Sequence, residues 1–87
     1  MNERQRTLDS LADLLGLSAH GLELYDDSGY QQRPAIVVAE NMEAVANLRP
    51  LPRGGVVWTY KDEIDGESIS THEAIRAIVG LHSGVLS

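Results

Sequence analysis

The most regular alternation of apolar and polar positions lies between Gly54 and Gly66, and it predicts a β-strand that runs into a hairpin. Every residue from Val56 to Tyr60 is β-branched or aromatic, which are the residue types that pack well on a pleated surface. One face of the strand collects Val56, Trp58 and Tyr60. We therefore predict a central strand around which the chain folds.

The Asp65-Gly66 pair predicts where this strand turns back, because both residues tolerate the positive φ angles of a type I′ turn. A two-residue loop at this point places Ile64 and Ile69 on the same face as Trp58. The agreement between turn and pattern favours a hairpin closed by Asp65 and Gly66.

Two segments follow the helical period. Residues 4–15 form an apolar stripe that Gly16 can terminate in a left-handed conformation, and the stripe contains Leu8, Leu11, Ala12 and Leu15. The last helix begins with a capping box, in which Ser70 is the N-cap and Glu73 is the third helical residue. Its buried stripe contains Ile75, Ile78 and Val79, and Gly84 is its expected end.

The middle of the chain predicts two further strands and a short helix. Residues 22–25 alternate as a strand, residues 26–29 form a turn, and residues 30–39 form a second strand. Residues 41–48 predict a helix with Asn41 as its N-cap and an apolar stripe at Met42, Val45 and Ala46. Residues 49–55 then form an extended loop stiffened by Pro50 and Pro52.

These elements predict an α+β fold in a single domain over residues 1–87, in the order α-β-β-α-β-β-α. Short hairpins imply antiparallel pairing, so we expect a four-stranded, mostly antiparallel sheet with the helices packed on one face.

Composition narrows the classes of function. The formal net charge of −6 disfavours direct binding to nucleic acid or to an anionic membrane, and it suits a protein partner with a basic surface. The chain has no cysteine and no apolar run of membrane-spanning length, so we expect a cytoplasmic protein without disulfides.

No catalytic or metal-binding constellation emerges from the histidines, and we expect neither an enzyme nor a cofactor. His72-Glu73 begins like a zinc-protease motif, but Arg76 stands where the second histidine belongs. His72 and His82 lie about 15 Å apart along the last helix, so they cannot share a metal ion.

The acidic residues around the predicted hairpin give the leading candidate surface. Their spacing does not match a calcium-binding loop, and they suit either a solvated turn or a negatively charged contact for a basic partner. A second acidic turn, flanked by tyrosines, extends that surface if the fold brings the two together. The partner-binding set is Asp62, Glu63, Asp65, Glu67, Tyr25, Asp26, Asp27 and Tyr30.

An alternative binding surface is the loop from Arg49 to Arg53, which displays two arginines around Pro-Leu-Pro. It is compatible with a polyproline II segment or an anion-binding turn, but we favour a connecting loop whose prolines limit the entropy of the unfolded chain.

The leading hypothesis is a non-enzymatic, acidic protein-binding module that inhibits a basic nucleic-acid-handling protein. Immunity proteins and phage anti-defence proteins such as anti-CRISPRs share this size and charge. The alternative is a structural or assembly subunit of a bacterial or phage complex that self-associates as a homo-oligomer through a bare sheet face or an edge strand. A small enzyme or ligand-binding domain is the third hypothesis, and it requires a pocket with convergent polar groups.

Overall fold

The computed structural model describes residues 3–27 and 35–84. A helix, α1 (Glu3–Leu14), and a 3₁₀ turn (Leu17–His20) come first, and a second helix, α2 (Thr71–His82), comes last. Between them lie five strands: β1 (Leu22–Asp26), β2 (Ile36–Glu40), β3 (Glu43–Pro50), β4 (Val56–Tyr60) and β5 (Ile64–Ser68).

The five strands form one sheet in the order β1-β2-β3-β4-β5, and each pairs antiparallel with its neighbours. The predicted four-stranded sheet and the order α-β-β-α-β-β-α are therefore wrong. The order is α-β-β-β-β-β-α, because residues 41–48 belong to a hairpin and a strand instead of a helix.

Strand β3 occupies the centre of the sheet, a position that the sequence pattern assigned to β4. Asn41 and Met42 both have positive φ angles, 51° and 67°, and they form the tight turn between β2 and β3. Ala46 and Leu48 then alternate inward, opposite Tyr60 and Trp58 of β4. Pairing on both edges with β2 and β4 outweighs the local helical tendency of this alanine-rich segment.

The hairpin between β4 and β5 turns four residues earlier than predicted. Lys61 and Asp62 have φ angles of 53° and 56°, and the Glu63 amide donates to the Tyr60 carbonyl. Asp65 and Gly66 instead lie within β5, where Gly66 is paired with Trp58. Ile69 follows the end of β5 and is 86% exposed, so its predicted place on the Trp58 face is also wrong.

Both helices pack on the same face of the sheet. Leu8 of α1 and Ala74, Ile75 and Ile78 of α2 belong to one buried cluster with the inward side chains of the strands. The strands contribute Leu22, Leu24, Ile36, Val38, Ala46, Leu48, Val56, Trp58 and Tyr60 to this cluster. The opposite face of the sheet has no helix over it among the described residues.

The helix termini agree with their sequence signals. Gly16 and Gly84 adopt left-handed conformations after α1 and α2, with φ angles of 66° and 80°. The Ser70 hydroxyl accepts a hydrogen bond from the Glu73 amide at 3.2 Å, which confirms the predicted N-cap. Neither helix in the described ranges is long and apolar enough to cross a membrane.

Candidate functional site

The side of the sheet opposite both helices is the candidate site, and we call it the open face. Side chains alternate along each strand, so the residues that do not enter the core project from this face. They are Glu23 and Tyr25 of β1, Val37 of β2, Asn47 and Arg49 of β3, Val57 and Thr59 of β4, and Asp65 and Glu67 of β5.

The residues predicted around the hairpin line one border of the open face. Asp65 and Glu67 project from β5, opposite Thr59 and Val57 of β4. The Thr59 hydroxyl donates to the Asp65 carboxylate at 2.9 Å and holds it against the sheet. Asp62 and Glu63 lie exposed in the adjoining turn, and these four acidic residues form what we call the β5 rim.

A second acidic border, which we call the β1 rim, consists of Glu23 and Tyr25 of β1 and of Asp27, which directly follows this strand. The Tyr25 hydroxyl donates to the Glu23 carboxylate, and this hydrogen bond raises the pKa of Tyr25 above its ordinary value. Burial and the negative charges of Glu23 and Asp9 add to the shift in the same direction. The phenol therefore remains a protonated donor across the neutral range.

The fold keeps these two rims apart. Four inter-strand spacings of about 4.8 Å separate β1 from β5, so the rims lie roughly 19 Å from each other. The centre of the open face lies between the two rims. It contains four apolar or uncharged residues, Val37, Asn47, Val57 and Thr59, and one guanidinium, that of Arg49. A shallow hollow of about 330 Å³ lies in this part of the face and extends to Asp27, Lys61 and Asp62.

Asp26, by contrast, points to the helical side of β1. Its carboxylate lies 3.2 Å from Nε of Arg4, and its side chain is 12% exposed. Its backbone amide donates to the Gln5 side-chain oxygen at 3.1 Å. Asp26 therefore holds α1 against the sheet, away from the open face. Tyr30, the last predicted member of the set, lies outside the described residues.

The Arg49–Arg53 segment is a hairpin connection. Arg49 and Pro50 belong to β3, and the Leu51 amide donates to the Gly55 carbonyl at 2.9 Å. Gly54 and Gly55 carry φ angles of 95° and 83°, which close this loop tightly. Arg49 projects from β3 on the open face, whereas Arg53 lies in the loop and lines a separate hollow with Glu67 and Ser68.

The histidines are spread over the helical side of the molecule. His82 of α2 lies between Tyr60 and Glu40, with its Nδ1 2.9 Å from the tyrosine hydroxyl and its Nε2 2.9 Å from the carboxylate. Both ring nitrogens are thus engaged in a link between α2 and the sheet. Among residues 3–27 and 35–84, no three His, Asp or Glu side chains are grouped as a metal site would require.

No protein-family model, curated protein or solved structure matches this chain.

Sequence patterns did not identify Gln5, and they assigned Arg49 to a loop instead of to a strand of the open face. Gln5 bonds with its side-chain amide to the outer edge of β1, where Nε2 donates to the Leu24 carbonyl at 2.8 Å. Arg49 supplies the only cation among the strand side chains of the open face. Neither residue carries a motif, and only the tertiary fold brings Gln5 beside a strand 19 positions away.

Proposed function

We propose that this protein is a non-enzymatic binding module whose open face docks onto the basic surface of another protein. The observation that carries the proposal is the placement of both helices on one side of the sheet. Among residues 3–27 and 35–84, no helix covers the other face of the five-stranded sheet, and carboxylates lie along both of its borders. We further propose that it acts in the cytoplasm.

Charge and shape support this mode of binding. Glu23, Asp65 and Glu67 place three carboxylates on the strands of the open face against the single guanidinium of Arg49. Such an arrangement steers a basic partner and orients it, because opposite charges on two approaching surfaces speed productive encounters. The half-exposed centre of the open face then supplies apolar surface, which loses its water when the partner docks.

A nucleic-acid-handling protein is the kind of partner that we favour. Its phosphate-binding surface is basic. A face with carboxylates on two borders competes with the phosphates of the nucleic acid for the same basic side chains. Occupying that surface would inhibit the partner without any reaction, as immunity proteins and anti-CRISPRs inhibit theirs.

The test removes charge without changing shape. The variant D62N/D65N/E67Q replaces three carboxylates of the β5 rim with amides and raises the formal net charge from −6 by three, to −3. The control E3Q/D13N/E73Q makes the same change on the two helices, which lie on the other side of the sheet. The wild-type protein and both variants are immobilised and exposed to nuclease-treated lysate from bacterial cells.

We expect the wild-type protein and the helix control E3Q/D13N/E73Q to retain the same basic protein, which high salt releases. The β5-rim variant should lose it, with an association rate at least about tenfold lower at low salt. Equal retention by both variants would show that the open face does not carry the interaction.

Self-association is the second candidate function, because Val37 and Val57 leave partly exposed apolar surface at the centre of the open face. A stable homo-oligomer of the purified protein at micromolar concentration, measured by light scattering after gel filtration, would favour an assembly subunit over an inhibitor. A monomer would favour docking onto a different protein.

A further inference from the structure

The two edges of the sheet are treated differently. At the β1 edge, the Gln5 side chain donates to the Leu24 carbonyl and accepts from the Asp26 amide, so a carboxamide takes the place of a neighbouring strand. At the β5 edge, no strand among residues 3–27 and 35–84 pairs with the outer side. An unpaired edge offers a row of backbone donors and acceptors to another chain.

The ladder identifies which backbone groups of β5 face outward. Between β3 and β4, the Lys61 amide bonds to the Val45 carbonyl and the Leu51 amide bonds to the Gly55 carbonyl, so the odd-numbered residues of β4 face β3. Bonding alternates along an antiparallel strand, so the even-numbered residues of β4 face β5. These residues pair with Ile64, Gly66 and Ser68. The amides and carbonyls that remain free on the outer edge therefore belong to Asp65 and Glu67.

These two residues also carry the carboxylates of β5. A residue of an added strand that exchanges both backbone bonds with Asp65 would have its side chain directly opposite, on the open face, and the same holds for Glu67. The edge thus presents two repeats of one unit, which combines a backbone donor, a backbone acceptor and a negative charge.

We propose that the β5 edge binds an extended segment of a basic partner protein as a sixth, antiparallel strand. Lysine or arginine lies opposite Asp65 and opposite Glu67, and the position between them faces the helical side. This inference rests on the proposed function, and it specifies how the basic partner is recognised.

The intervening positions of the added strand are apolar. The one opposite Gly66 lies beside the indole of Trp58, since Gly66 has no side chain to cover it. The position opposite Ile64 lies next to the Ile64 side chain, which is apolar and 41% exposed. The segment therefore alternates basic and apolar residues, with the basic side chains on the open face.

A second copy of this chain fits the edge less well. Antiparallel pairing of two β5 strands about Gly66 would set Asp65 of one copy directly opposite Glu67 of the other. Like charges directly opposite each other destabilise a strand pair, so the acidic residues select against self-pairing and favour a basic strand.

The probe is a capped eight-residue peptide of alternating lysine and valine, titrated into the full chain. Trp58 is the only tryptophan and lies next to the edge, so its fluorescence reports binding. Three comparison peptides complete the set: one in which the lysines are grouped together, one N-methylated at the two central lysine amides, and one with glutamate in place of lysine.

Two variants test the edge itself. E67P removes an amide that faces outward and not towards β4, so an edge strand tolerates it and keeps its pairing within the sheet. D65N/E67Q keeps the backbone and removes the charge. Circular dichroism and a cooperative unfolding transition check that each variant folds, and D9N/D13N is the charge control on α1.

We expect saturable binding of the alternating peptide that weakens with salt. N-methylation and E67P should each weaken binding at least about tenfold, and D65N/E67Q about fivefold or more, while D9N/D13N changes it less than about twofold. Equal binding of the N-methylated and parent peptides would overturn strand addition, as would no saturable binding of the parent peptide at about 1 mM.

The two proposals fail in different ways. If the captured partner is lost from D62N/D65N/E67Q but binds E67P as tightly as the wild-type protein, docking through the open face stands and strand addition is overturned. If the captured partner is retained by every variant, the proposed function itself fails.

Discussion

At the scale of single residues, the absence of a side chain at Gly66 determines how Trp58 packs. Any Cβ at position 66 would overlap the Cζ2 and Cε2 atoms of the indole, so the ring lies directly over the backbone of β5. The indole nitrogen then donates to the Ser68 hydroxyl at 3.0 Å. Gly66 is therefore required for close packing against Trp58. The turn that the Asp65-Gly66 pair suggests is formed instead by Lys61 and Asp62.

The variant G66A should lower the free energy of unfolding by about 1–3 kcal/mol, because an added methyl group must displace the indole. Denaturant unfolding followed by Trp58 fluorescence measures the loss. E67A, at an exposed position in the same strand, is the control and should change stability by less than about 0.5 kcal/mol.

A double variant separates packing from backbone strain. In a W58L background the indole is gone, so G66A should cost much less than it does in the wild-type protein, with far-UV circular dichroism following unfolding. An unchanged cost in that background would point to the backbone conformation at position 66 instead of the overlap.

At the scale of elements, β3 shows how sheet pairing overrides a local helical pattern. Its Glu-Ala-Val-Ala sequence suits a helix, and Asn41 suits an N-cap. In the fold, Asn41 and Met42 are the two positive-φ residues of a turn, and the Met42 side chain is 88% exposed. A central strand must satisfy its backbone on both edges, and β3 pairs with β2 over residues 43–48 and with β4 over residues 46–50.

The substitution M42G distinguishes these two structures by the sign of its effect. In the observed turn, glycine relieves a left-handed conformation that costs a side-chain-bearing residue about 1–2 kcal/mol. The greater conformational freedom of glycine in the unfolded chain offsets part of this relief, so we expect the free energy of unfolding to rise by up to about 1 kcal/mol. In a helix, the same substitution would lower the free energy of unfolding by about 1 kcal/mol.

Thermal and denaturant unfolding of M42G decide between these outcomes. M42A is the matched control, because it shortens the exposed side chain and keeps the conformational strain, and it should leave stability nearly unchanged. A loss of stability in M42G would contradict the turn.

At the scale of the whole molecule, the Tyr60–His82–Glu40 chain of hydrogen bonds joins α2 to two strands. The histidine side chain is only 13% exposed, whereas the glutamate side chain at the end of the chain is 43% exposed. The three residues are 22 and 42 positions apart along the sequence, so only the tertiary fold brings them together.

Removing the inner bond should cost more than weakening the outer one. Y60F leaves His82 Nδ1 without its partner in a mostly buried place, and it should lower the free energy of unfolding by about 1 kcal/mol. E40Q keeps a hydrogen-bonding group at a more exposed position and should cost less. Equilibrium denaturation of both variants tests the order, and a larger loss in E40Q would contradict it.

Sequence patterns located the elements whose signals are local. The stripe of α1, the left-handed Gly16, the capping box of Ser70 and Glu73, and the β-branched run of β4 depend on neighbouring residues, and the structure contains each of them. Local periodicity also separated Val56, Trp58 and Tyr60 from the outward residues of the same strand.

Only the tertiary structure decided the features that depend on distant partners. Pairing on two sides made a strand of β3, and the Trp58 indole fixed Gly66 inside β5. The acidic residues were identified from sequence, but their division into two separated rims follows from strand order, and so does the position of Gln5 on the β1 edge. Backbone hydrogen bonds between strands join residues far apart in sequence, so no local pattern can determine which edge is closed and which remains open.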